Sequence, residues 1–129
     1  MDVQAGVIVP VHKDDRRAIS EFNGIDMSVQ DFEVFASDLP LGKHFHRAKR
    51  EIFIIQEGSG QVLTSLVDDD GVRVGEKQTT DLQSGSVIVI DPMTAHTFYL
   101  DPGTKMICVS SAPFNPNDMD MHPAEWLVE

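Results

Sequence analysis

Three histidines and one glutamate stand at spacings that suit a shared metal ion. His44 and His46 lie in the run Gly42-Lys43-His44-Phe45-His46-Arg47-Ala48-Lys49-Arg50-Glu51, and His96 follows Asp91-Pro92-Met93-Thr94-Ala95. Residues two apart on a strand share a face, so His44 and His46 point one way and Phe45 the other. Glu51 is five positions beyond His46, an odd offset that would turn it away on one unbroken strand. Arg47 to Arg50 resolves this as a four-residue hairpin loop. Glu51 then opens the returning strand directly across from His46, with Cβ atoms about 4.5–5.5 Å apart. Phe53 and Ile55 share its face and wall the site with apolar side chains. Imidazole suits Zn, Fe and Ni, and carboxylate suits harder ions such as Mn. The expected cofactor is therefore a divalent transition metal held by His44, His46, Glu51 and His96.

The fourth donor needs a further strand. Ser86-Val87-Ile88-Val89-Ile90 is an apolar, β-branched run that reads as a buried strand ended by Asp91-Pro92. After a short turn His96 opens the next segment, His96 to Leu100. Phe98 shares the face of His96 and lines the cavity, whereas Tyr99 points away and packs. Met93, in the turn before His96, is a further candidate for the pocket.

The rest of the chain supplies the scaffold. Strands are expected at Val7–Val11, Met27–Ala36, Lys43–Arg47, Glu51–Gln56, Gly60–Leu66, Val72–Gln78, Ser86–Ile90, His96–Leu100 and Lys105–Ser110. Turn clusters at Gly58-Ser59-Gly60, Asp68-Asp69-Asp70-Gly71, Gln83-Ser84-Gly85 and Asp101-Pro102-Gly103 separate them. Helical patterning is confined to a short turn beginning near Pro123-Ala124-Glu125-Trp126. At 129 residues and 41% hydrophobic composition the chain fits one domain over 1–129 with one core.

The pattern around the four donors resembles the cupin superfamily. His44, His46, Glu51 and the closing Gly58 match its first motif, although the leading glycine has no match in register. Gly85, the strand Val87 to Ile90, the turn Asp91-Pro92-Met93 and His96 match its second motif. Asp91 stands for that motif's proline, Met93 for its glycine and Leu100 for its asparagine. The two motifs span 42–100. The resemblance implies an all-β, double-stranded β-helix (jelly-roll) barrel and a metal site at those four positions. Cupins include isomerases, epimerases, dioxygenases, decarboxylases and non-catalytic binders. The stretch Gly42 to Gly58 is similar to cupin domains of bacterial sugar-nucleotide enzymes, among them capsular-polysaccharide epimerase/reductases and deoxysugar ketoisomerases. The tail Ser110 to Asp118 is similar to a Phe-Asp-Pro-Asn segment found there. By that resemblance the expected function is isomerisation or epimerisation of a small carbonyl compound or nucleotide sugar, with Glu51 also moving a proton. An Fe-dependent dioxygenase of a small acid or thiol, and a non-catalytic small-molecule binder, stand as alternatives.

Composition bounds the partners. Ten Lys and Arg against 21 Asp and Glu give a formal charge of −11, which disfavours nucleic acid. Four of the ten bases, Lys43, Arg47, Lys49 and Arg50, are nevertheless clustered. They form either a soluble loop tip or an entrance for an anionic small-molecule substrate. Cys108 has no partner for an internal disulfide and reads as a small core residue. His12 and His122 read as solvent-exposed. The absence of a leader-like or membrane-length apolar run makes cytoplasm the expected location, with no membrane partner. By family analogy the expected assembly is a homodimer.

Overall fold

The computed structural model describes residues 3, 5–36, 40–112, 115 and 117–128. The Phe114 and Pro116 part of the expected tail motif lies outside these residues. Among the described residues eleven strands form two antiparallel sheets. The six-stranded sheet runs β1 (Val9–Lys13), β2 (Arg17–Asn23), β3 (Ser28–Val34), β10 (Lys105–Ser110), β5 (Glu51–Glu57) and β8 (Val87–Ile90). The five-stranded sheet runs β11 (His122–Pro123), β4 (Leu41–Phe45), β9 (Thr94–Leu100), β6 (Ser59–Val67) and β7 (Arg73–Gln83). This is the expected all-β jelly-roll architecture. Among the described residues no helix is long and apolar enough to cross a membrane.

Period-two alternation builds the core. On β5, Glu51, Phe53 and Ile55 are buried while Ile52 is exposed; on β10, Met106, Cys108 and Ser110 are buried. Phe53, Ile55, Val62, Leu82, Ile90, Phe98, Leu100, Met106 and Cys108 form one cluster between the sheets. Burying a large apolar side chain contributes about 1.5–3 kcal/mol, so this layer holds the sheets face to face. A second cluster lies on the outer face of the five-stranded sheet. There the 3-10 turn Glu125–Val128 lays Leu127 over Phe45, Val67 and Ala95. Phe45 points outward as alternation with the histidines requires, and the C-terminal turn keeps it dry.

Several expectations are corrected. The loop at 47–50 is not a hairpin. β4 pairs with β9 and β11, and β5 pairs with β10 and β8, so the loop carries the chain from one sheet to the other. Glu51 thus approaches the histidines across the sandwich, not from a neighbouring strand. Ser86–Ile90 read as buried because it is wholly apolar. It is an edge strand instead, with Val87 60% and Val89 55% exposed on the outer face. β2 was not expected, since its apolar residues Ala18, Ile19 and Phe22 fall on both faces and leave no clean alternation. β7 runs to Gln83 because its pairing with β6 continues through the polar segment.

Gly58, the closing glycine of the first motif, sits between β5 and β6 at φ 105. A Cβ there would come within 2.7 Å of the Thr104 Cα. Gly75 has a similar φ of 81 but open space around it. Gly58→Ala is expected to cost about 2–4 kcal/mol, from left-handed strain plus overpacking. Gly75→Ala should cost only the strain, roughly 1–2 kcal/mol. Urea unfolding of the two variants checks the difference, and equal losses would refute this reading of Gly58.

Candidate metal centre

A β-bulge sets the first two donors. Gly42 pairs with Thr97 and His44 with His96, which leaves Lys43 as the extra residue, at φ 71. Leu41 packs against the inner core, and three positions later an uninterrupted strand would turn residue 44 outward. The bulge reverses that parity and aims His44 inward, directly beside His96. Their ring centroids are 4.8 Å apart, and His46 lies 4.8 Å from His44 and 5.5 Å from His96. His46 itself is one residue past the end of β4.

Glu51 reaches this trio from the opposite sheet. Its Oε1 lies 2.9 Å from His46 Nε2 and 3.3 Å from His96 Nε2. The donor atoms of His44, His46, Glu51 and His96 all lie within 4.8 Å of one another. His46 is 2% exposed, Glu51 6% and His96 1%.

Two backbone carbonyls set the tautomers. His46 Nδ1 is 2.6 Å from the Asp120 carbonyl oxygen, and His96 Nδ1 is 3.0 Å from that of Thr94. A carbonyl only accepts, so in each ring Nδ1 carries the proton and the neutral ring presents the Nε2 lone pair. Both lone pairs face a carboxylate oxygen. Despite their proximity, His46 Nε2, His96 Nε2 and Glu51 Oε1 make no aligned hydrogen bond and are fully buried. Acceptors crowded in this way require a positive charge among them. A proton would serve one pair; a metal ion serves all four donors together. Bonds of about 2.0–2.2 Å to nitrogen and oxygen place neighbouring donors about 3 Å apart, the spacing of Glu51 Oε1 from His46 and His96. The residues therefore fit a divalent metal.

Protonation states agree. His44 is held down to about 3, first by burial and then by its position beside the imidazoles of His96 and His46, so it stays a neutral ligand. Burial pushes Glu51 up, and proton donation and positive charge from the His46 and His96 side, the part a metal cation would take over, hold it below the usual carboxylate range. Its Oε2 accepts from the Cys108 thiol at 3.3 Å. Burial and the Glu51 charge push that thiol well above its ordinary range, so Cys108 serves here as a proton donor and not as a thiolate.

Sequence reasoning missed the C-terminal strap. The Asp120 carboxylate accepts from the backbone N–H of Arg47 (2.7 Å), Ala48 (2.8 Å) and Lys49 (3.1 Å), while its own carbonyl holds His46. Burial alone would raise this carboxyl, but those three backbone donors and His122 hold it low. Asp120 is at φ 47, a left-handed conformation that Asp tolerates better than most residues. Asp118-Met119-Asp120-Met121 carries no local mark of a partner 74 residues away.

The donors border a cavity of about 240 Å³. Phe53 and Phe98 line it. Ile55 instead lies deeper in the core, and Met93 packs with Phe45 and Val67 on the far side of the sheet. Tyr99 points away, as alternation predicts, and His122 joins Asp120 at 3.3 Å instead of standing free in solvent.

No protein-family model and no curated sequence matches the chain. Solved structures do. CapF from Staphylococcus aureus matches with a TM-score of 0.74 and 22% identity over 94% of this chain and 32% of that one. The oxalate decarboxylase of Lactobacillus farciminis matches at 0.67 and 13% identity, covering all of this chain and 39% of that one. Ectoine synthase from P. lautus matches at 0.63 and 17% identity, covering 87% and 78%. The chain spans about a third of the length of the CapF chains it matches.

His96→Ala should lose the bound metal while keeping its far-UV β signal; elemental analysis with circular dichroism checks this, and collapse of the fold would mark the ion as structural. Asp120→Ala should weaken metal binding about 10–100-fold by freeing the His46 ring, and Asp120→Asn, which keeps an acceptor, should lose less. Chelator competition measures both, and an unchanged affinity in Asp120→Ala would refute the strap's role.

Two antiparallel sheets closed around a buried His/His/Glu/His cluster, and the structures they superpose on, show this chain to be a cupin-fold protein.

Proposed function

We propose that the protein is a metal-dependent enzyme that isomerises or epimerises a small carbonyl compound. The observation that carries this reading is the buried four-donor cluster at the wall of an otherwise largely apolar cavity. When bound there, a divalent cation supplies polarisation of a carbonyl oxygen and stabilisation of negative charge on the neighbouring carbon. The chain does the rest. Phe53 and Phe98 keep water from the reacting face. The Cys108 thiol orients Glu51 through Oε2 and turns Oε1 toward the imidazoles, so Glu51 would take or return a proton by moving off the metal.

Cavity size narrows the substrate. Sites for drug-sized ligands measure about 300–1,000 Å³, so about 240 Å³ encloses one small ligand or the reactive end of a larger one. A nucleotide sugar would place its nucleotide outside. Two comparisons support oxygen-rich ligands: CapF has been crystallised with the inhibitor 3-isopropenyl-tropolone, a hydroxy-ketone, and oxalate decarboxylase as a formate complex.

A second reading, a non-catalytic binding cupin, is favoured by one observation. Among the described residues the cavity holds two carboxylates; Glu51 is engaged by two histidines, and Glu21 accepts from Gln30 Nε2 at 3.1 Å. Proton NMR in D₂O distinguishes the two. The Zn-, Mn-, Fe- and Ni-loaded protein is incubated with a panel of small hydroxy- and oxo-compounds. Deuterium uptake next to a carbonyl, absent in His96→Ala, is the expected result. Binding without exchange would establish the binder instead, and oxygen consumption by the Fe form would establish a dioxygenase.

A further inference from the structure

The hydroxyl of Ser110 is a buried polar atom with no hydrogen-bond partner among the described residues. The residue is 4% exposed and closes β10, opposite Glu51 on β5 and opposite Ser28 on β3. It continues the inward row of Met106 and Cys108 and lines the same cavity as the metal donors. Folded proteins pair nearly all buried hydroxyls. An orphan on a cavity wall, one cross-strand step from a metal-ligating carboxylate, is a group that a ligand would satisfy.

A charge lines the same cavity. Of the four clustered bases, three are occupied. Lys43 pairs with Glu125 at 2.9 Å, Arg50 with Asp91 at 2.7 Å, and Arg47 donates to the Asp69 carbonyl at 2.9 Å. Lys49 is half-buried, lines the cavity and makes no ion pair among the described residues. Its backbone is pinned by Asp120 and it stands two residues before Glu51, so its side chain starts from the rim of the cavity that the donors border. In a chain of formal charge −11, an unpaired lysine facing a cavity is a counter-charge for something that enters it. Glu21 also lines the cavity, but Gln30 already bonds its carboxylate.

We propose that Ser110 Oγ and Lys49 Nζ form an anion subsite next to the metal donors, and that the ligand is a small hydroxy- or oxo-acid. Its adjacent oxygens face His44, His46 and His96, and a further carboxylate meets Ser110 and Lys49. One ammonium and one hydroxyl match the two oxygens of a carboxylate. Phosphate sites more often add an arginine fork, and no arginine is among the described residues that line this cavity. The subsite rests on the metal-dependent reading above and names the substrate class for it.

The test compares two probes on the cobalt-loaded protein, followed by the visible spectrum of the ion. Glycolate offers a hydroxyl and one carboxylate. Tartronate offers the same pair plus a second carboxylate. Wild-type protein should bind tartronate at least tenfold more tightly than glycolate. Ser110→Ala and Lys49→Gln should each cut that preference at least threefold, with cobalt content and glycolate affinity unchanged. A preference that is absent in wild type, or unaltered in both variants, overturns the subsite. Failure to take up cobalt, read by elemental analysis before any titration, overturns the metal reading itself. Thermal unfolding separates a binding role from a structural one. Ser110→Ala removes an unpaired hydroxyl, so its Tm should hold or rise; a fall of several degrees would show that the hydroxyl supports the fold and would remove it from the subsite.

Discussion

One cross-sheet encounter organises the molecule: the Glu51 carboxylate, projecting from the six-stranded sheet, meets the imidazoles of the five-stranded sheet inside a dry core. Like-for-like acceptors, 2.9 and 3.3 Å apart, repel one another unless a cation joins them. Low local dielectric strengthens both that repulsion and the attraction that relieves it. The surrounding architecture can be understood as what holds four such groups together against their mutual dislike. Phe53, Ile55, Phe98 and Met106 interlock behind the cluster and keep the sheets from sliding apart.

Three local devices aim the donors. The bulge at Lys43 reverses the alternation of β4, so that Leu41 and His44 both face inward. Carbonyls of Asp120 and Thr94 take the Nδ1 protons and turn the Nε2 lone pairs toward Glu51. The Asp120 carboxylate gathers three successive amides of the loop that crosses from one sheet to the other. A crossing loop with unpaired amides would let both His46 and Glu51 drift, since it joins them. The C-terminal strap thus serves position more than bulk, while the 3-10 turn that follows it seals the outward-facing Phe45.

Polar burial divides into two kinds here. Cys108, Thr97 and Thr104 find partners within the chain: the Glu51 carboxylate, the Leu41 carbonyl and the Ser59 carbonyl. His46, Glu51, His96 and Ser110 keep atoms without aligned partners, and all four border one cavity. An unsatisfied buried group costs about 1–3 kcal/mol. Apart from Arg17 Nε, that cost is concentrated on one wall, the pattern expected of a site whose stability is completed by what it binds.

The donor set was legible in the primary structure because side-chain type and short spacing are local properties. The His-x-His pair, the Glu five residues on and the His after the Asp-Pro turn mark the cluster without any fold. The same holds for most strands, whose period-two alternation and turn residues lie within ten positions of one another. Ser86–Ile90 shows the limit: a wholly apolar run signals burial, but only the sheet order makes β8 an edge with Val87 and Val89 outside. Parity shows another, since the bulge at Lys43 is stabilised by pairing with β9 and has no signature in β4 alone. Which sheet delivers Glu51, which carbonyl orients His46 and which hydroxyl is left unpaired on the cavity wall were decided by tertiary structure. Glu51 meets His96 across 45 positions of sequence (96 − 51) and His46 meets Asp120 across 74, and such partners are chosen by packing geometry, of which a linear chain carries no local trace.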